Sequence, residues 1–138
     1  MVFGFRRTKY MESNNPKVIS FRDLIVWQKG LSIAKQSYKL CKLLPKEELF
    51  GLISQIQRCS VSIPSNIAEG RGRSTAKDFS QFLHIAQGSL YELETQLILA
   101  KELYGLKIEE IIQEIYTEQK MISGLIKNLK PNTTHQKP

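Results

Sequence analysis

Few side chains in this sequence are spaced for covalent or metal chemistry. Cys41 and Cys59 lie 18 residues apart, and each falls on an apolar stripe of helical spacing. That pattern predicts two buried free thiols. His84 has Ser80, Gln81, Gln87 and Gly88 as its three- and four-residue neighbours. No metal-binding pair can form around it on a helix, so it reads as a structural or surface histidine. His135 lies in the polar stretch 131–138. There is no phosphate loop, no GxGxxG and no nucleophile elbow. Only Glu69 and Glu92 offer carboxylates that a catalytic pocket could perturb. The expectation is a protein that is not an enzyme and uses neither cofactor nor metal.

Cations are the chemistry the sequence does concentrate. Lys and Arg number 20 against 13 Asp and Glu, a net charge of +7. The excess is uneven: residues 1–77 hold 14 basic and 5 acidic side chains. Lys35, Lys39, Lys42 and Lys46 recur along one flank of a helical segment, and Arg71, Arg73 and Lys77 cluster around a glycine-containing turn. Both groups are candidates for one patch that binds phosphates, the arginine turn being its stronger half. Glu110, Glu114 and Glu118 form an acidic stripe further on, suited to lysines of another copy in head-to-tail packing.

These residues must be positioned by helices. Apolar residues recur at steps of three and four in four segments. The first, Arg22 to Leu44, has the stripe Leu24, Trp27, Leu31, Ala34, Tyr38, Cys41 and a second flank of Val26, Ile33, Leu40 and Leu44. The second has Leu49, Leu52 or Ile53, Ile56, Cys59, Ile63 and Ile67, and stops at Gly70 and Gly72. Pro64 inside it predicts a kink near Ser60–Ile63, or two shorter helices. Ser74 or Thr75 caps the third, whose stripe is Phe79, Leu83, Ala86, Leu90, Leu93, Leu97, Ala100 and Tyr104. The fourth carries Ile108, Ile112, Ile115, Gln119, Ile122, Ile126 and Leu129. Short links between long helices predict an all-α, up-down-up-down antiparallel four-helix bundle over 21–130. Residues 1–20 read as a flexible basic arm and 131–138 as a disordered tail. No apolar run approaches the roughly 18–20 residues of a membrane span, and no signal-peptide core is present. A cytoplasmic location with no membrane partner is expected.

The apolar arcs are broader than a two-layer bundle needs, with Phe82, Ile85, Leu99, Leu103, Tyr91 and Ile98 added on the third helix. That surplus predicts a homo-oligomer. Gly88-Ser89 in mid-helix would let another helix approach closely, and Arg58 is placed to pair with Glu92 or Glu94. No aromatic stacking platform is evident.

The run Gln55-Ile56-Gln57-Arg58-Cys59-Ser60-Val61-Ser62-Ile63-Pro64-Ser65-Asn66-Ile67-Ala68-Glu69-Gly70, with Arg71-Gly72-Arg73 after it, resembles the 23S rRNA intervening-sequence protein family. So do Phe21–Trp27 and Ala86–Glu94. The resemblance covers roughly residues 20–130 and extends, more distantly, to the accessory variability determinant of diversity-generating retroelements. It implies a four-helix bundle in a homopentameric ring. Arg58, Asn66, Glu69, Arg73, Gly88 and Glu92 match the family signature, and none is a recognised catalytic group. Two functions follow as expectations. One is phosphate-directed binding of nucleic acid, RNA above all. The other is an adaptor that recruits a reverse transcriptase or another ribonucleoprotein.

Overall fold

A computed structural model describes residues 20–130. The arm and tail expected at 1–20 and 131–138 lie outside the described residues, Ser20 excepted. A 3-10 turn at Phe21–Asp23 leads into α1 (Ile25–Cys41). A second 3-10 turn at Lys46–Glu48 precedes α2 (Leu52–Arg71), then α3 (Ala76–Tyr104) and α4 (Glu109–Leu129). No strand occurs among the described residues.

Local chemistry sets these boundaries. Thr75, rather than Ser74, caps α3 by accepting the Asp78 N–H at 3.1 Å. Gly105 closes the helix in the left-handed region, at φ 72°, where only glycine is unstrained. The start of α2 is held from outside: the Glu48 carboxylate accepts the Leu52 N–H at 3.0 Å and the Tyr104 hydroxyl proton. These two bonds hold the Glu48 carboxyl below its ordinary range.

Each helix packs on its sequence neighbour, and α4 closes on α1 without diagonal contacts. Side-chain pairings make every neighbour antiparallel. Cys41 near the end of α1 approaches the Ile53 carbonyl near the start of α2. Gly70 at the end of α2 meets Phe79 and Phe82 at the start of α3. Gln87 donates to the Gln119 carbonyl and the Ser123 hydroxyl of α4, while Gln119 donates to Glu94. Lys29 in α1 reaches Glu114 in α4 at 3.9 Å. The up-down-up-down bundle is therefore the one the periodicity predicts.

The core contains nearly the whole predicted stripe of α3, Tyr104 alone being exposed. The stripe of α1 needs correction. Its buried face is Val26, Gly30, Ile33, Ala34, Ser37 and Cys41, while Leu31 and Tyr38 are exposed. The second flank supplies Val26, Ile33 and Leu44 to the core and the first stripe supplies Ala34 and Cys41, with Gly30 and Ser37 interrupting the apolar pattern between them. Close approach is the reason for Gly30: a Cβ there would stand 3.2 Å from Ile63 and 3.5 Å from the Pro64 nitrogen. The helix α2 runs unbroken through the buried Pro64, so it is one helix and not two.

On α4 a second correction concerns Glu118. It is no part of a solvated acidic stripe, because its side chain is fully buried. One carboxylate oxygen lies 3.2 Å from the place a Gly30 Cβ would take, and neither oxygen has a hydrogen-bond partner among the described residues. Burial pushes this carboxyl up to about 8; Lys29 opposes the shift and Glu114 adds to it. Between the unfolded-state value, about 4.3, and the folded value the unfolded chain binds fewer protons. Stability is full below that window and falls as pH rises through it. Melting temperature should therefore drop from about pH 5 to about pH 8. Glu118→Gln should flatten that slope, and Glu118→Leu should melt higher than wild type at the alkaline end. Parallel melting curves for all three proteins would show that Glu118 does not titrate in this range.

Candidate nucleic-acid interface

The turn between α2 and α3 defines one pole of the bundle. Its geometry begins at Gly70, whose backbone lies directly on two aromatic rings. A Cβ there would sit 2.6 Å from Phe82 Cβ and 3.0 Å from Phe79 Cδ1. This contact turns the chain back sharply and leaves Arg71, Gly72 and Arg73 at the surface. Arg73 is an anchor as well as a charge. It pairs with Glu69 one helical turn earlier and lies over the Phe82 ring, 4.8 Å from its centre. Arg71 is half-buried, Lys77 is exposed, and neither makes an ion pair among the described residues.

An even number of antiparallel helices brings the end of α4 to the same pole. Leu129 and Lys130 share an open recess of about 580 Å³ with Lys77, Ser80, Gln81 and His84. Lys127 lies in the last turn of α4. His84 Nδ1–H donates to the Ser80 carbonyl at 2.9 Å, a local helical contact, and no metal-binding cluster exists among the described residues. The helix ends and turns at this pole carry Arg22, Arg71, Arg73, Lys77, Lys127 and Lys130 together with Asp23, Glu69 and Asp78. Lys127 and Lys130 do not stand out in the sequence as partners of the turn, because they are about fifty residues from it. The signal that could have found them was topological: four antiparallel helices return the chain to its starting end.

The lysine flank of α1 is elsewhere. Lys39 and Lys42 lie toward the opposite pole and Lys35 near the middle of α1, roughly 15–25 Å along the bundle from the arginine turn. The two basic groups do not form one patch. Lys39 shares a recess with Glu110 and Lys107 of α4 and the link before it. The acidic side chains expected to meet lysines of another copy thus lie beside α1 of their own chain. Glu47, Glu48, Glu102 and Glu109 add to this pole, so its charge is mixed.

The signature residues separate into distinct environments. Asn66 donates to the Ser62 carbonyl at 2.7 Å, within its own helix. Ser62 in turn bonds Ser89 across the α2–α3 seam. Ser89 is buried there, whereas Gly88 faces outward with nothing near its absent Cβ. The small pair therefore serves two surfaces. Arg58 does not pair with Glu92 or Glu94: it reaches Ser54 at 3.5 Å, and Glu94 is bonded by Gln119. The cysteines are buried free thiols as expected, with Cys59 donating to the Ser89 carbonyl at 3.0 Å. Burial pushes Cys41 up to about 11 and Cys59 up to about 12, the latter helped by Glu92, so neither is a nucleophile at neutral pH.

The arrangement defines a helical-bundle protein with one basic end. No helix among the described residues is long and apolar enough to cross a membrane. Residues 22–128 match the family profile of the 23S rRNA-intervening sequence protein, and the chain belongs to that family. A search of curated proteins finds no match.

The fit at Gly70 supports a direct check. Gly70→Ala should destabilise the bundle by about 1–3 kcal/mol, because the new methyl must displace Phe79 and Phe82. Gly88→Ala, on an open helical surface, should leave an isolated subunit unchanged or up to about 1 kcal/mol more stable. Thermal melts in which the two variants behave alike would contradict the packing described.

Proposed function

We propose that this protein is a non-enzymatic RNA-binding bundle whose basic pole grips phosphates. The observation that supports this reading is the pair Lys77 and Lys130 lining one open recess, with Arg71, Arg73 and Lys127 on the adjoining helix ends of the same pole and Arg73 braced by Glu69. Cations on rigid helix ends suit backbone contacts, which hold a nucleic acid without reading its sequence. In sequence, residues 1–19 carry Arg6, Arg7, Lys9 and Lys17 against Glu12. The family's name, drawn from the 23S rRNA intervening sequence, is in keeping with an RNA partner.

The outer face of α3 supports self-association. Gly88 lies there among exposed Ile85, Tyr91, Ile98 and Leu99. A heterologous contact through that face, repeated by rotation, would close a ring, which is in keeping with the pentamer that the family resemblance implies. The adaptor reading has its own observation: Leu43 and Leu49 are 71% and 53% exposed at the pole opposite the cations, where a protein such as a reverse transcriptase could dock.

Structured RNA titrated at two salt concentrations tests the main reading. Changing Arg71, Lys77 and Lys130 together to Ala should weaken binding to every sequence and reduce the salt slope by about 0.7–0.9 for each phosphate that is no longer neutralised. Changing Lys35, Lys39 and Lys42 should matter less. The reverse order, or binding that ignores salt, would overturn the assignment to the pole. Light scattering checks the ring: Tyr91→Glu with Ile98→Glu should reduce a multiple of 15.9 kDa to a single chain.

A further inference from the structure

Between α2 and α3, from the pole opposite the cations to the middle of the bundle, lies an open cleft of about 490 Å³ that the basic pole does not include. Its walls carry opposite charges. Arg58 projects from α2 and Glu92 from α3, and they are not paired with each other. Their contacts are weak: Ser54 at 3.5 Å for Arg58, and the Cys59 thiol at 3.6 Å for Glu92. Gln55 and Gln96 also line the cleft, and the Gln96 side-chain oxygen is buried without a donor among the described residues. Phe50 stands at the mouth, 92% exposed, in the connection that leads into α2. A phenyl ring left in water beside an exposed guanidinium, an exposed carboxylate and one unpartnered amide oxygen calls for a flat ligand that is polar at its edges.

We propose that this cleft seats one unpaired guanine base of a bound RNA strand. Guanine is the base whose two edges match the two walls. O6 and N7 accept both hydrogen bonds of an arginine fork, so Arg58 takes that edge. N1–H and the N2 amino group donate from the other edge, which suits the Glu92 carboxylate. Phe50 supplies a face on which the base stacks, as single-stranded RNA requires. Adenine, cytosine and uracil each present an edge that leaves Arg58 or Glu92 unmatched. Arg58 lies thirteen residues before Arg71 on the same helix, about 20 Å along its axis. A strand held at the pole can therefore reach the cleft. The proposal rests on the RNA-binding reading, but adds base preference to a surface that otherwise reads only phosphates.

Fluorescence anisotropy with two labelled strands tests it: a uridine heptamer, and the same heptamer with one central guanosine. With the intact chain the guanosine should tighten binding by roughly five- to 150-fold. Glu92→Gln should erase that preference while leaving the melting curve in place. Phe50→Ala should bring the guanosine strand down to the uridine level. Equal binding of the two strands would overturn the proposal. So would a fall in mass by light scattering for Phe50→Ala, which would show the cleft to be the seat of a second copy. Duplex RNA in the same buffer separates the two readings, since it contacts the pole and offers no unpaired base. Loss of duplex binding with guanosine preference retained would refute the pole and leave the cleft; the opposite result would refute the cleft alone.

Discussion

The seam between α2 and α3 is the contact on which the rest of the molecule depends. It is fastened at three levels. Gly70 lies on Phe79 and Phe82 at one end, Ser62 and Ser89 bond in the middle, and Glu48 joins Tyr104 to the first turn of α2 at the other. The pole cations are displayed by the turn that closes this seam, and the charged cleft is the groove that runs along it. Small residues let the two backbones approach at Gly70 and Ser89. Where larger polar side chains line the seam, at Arg58 and Glu92, the surface opens. Interior packing and surface chemistry are thus consequences of one alternation of side-chain size.

Burial of Glu118 shows a different constraint. Gly30 of α1 lies against Ile63 and Pro64 of α2, and the absence of its Cβ leaves space beside them. A flexible unbranched side chain reaches into it, but this one ends in a carboxyl group. An uncompensated buried acid opposes folding once ionised, so the helices around it are held by apolar contact rather than by that group. Ile33, Ile63, Ile115 and Ile122, all fully buried, supply that contact.

Helix number, order and pairing were legible in the sequence because α2, α3 and α4 repeat their apolar residues at steps of three and four. On α1 and just after it, hydrophobicity found Val26, Ile33, Ala34, Cys41 and Leu44 but divided them between two flanks, for a physical reason. Where backbones meet most closely the packing residues are Gly30 and Ser37, which carry no apolar signal, while Leu31 and Tyr38 carry that signal on the exposed side. Glu118 was misread for the same reason in reverse, since a charged residue type suggests water whatever its surroundings. The arginine turn could be found locally, from glycines and a charge cluster. Lys127 and Lys130 join it only through tertiary topology, and the absence of an Arg58–Glu92 pair depends on side-chain reach that spacing along a helix does not encode.

Both ends of the described chain, Ser20 and Lys130, lie at the basic pole, because four antiparallel helices bring the backbone home. The opposite pole holds only connections, of which 105–108 is short and exposed at Gly105 and Lys107. The order in which the helices are threaded is therefore separable from the bundle they build. A circular permutant that joins the ends at the basic pole and opens at 105–108 would keep every helix pairing intact. Conversely, any domain joined directly at Ser20 or Lys130 is delivered to the face that carries the cations, so such a fusion is coupled to whatever that face holds.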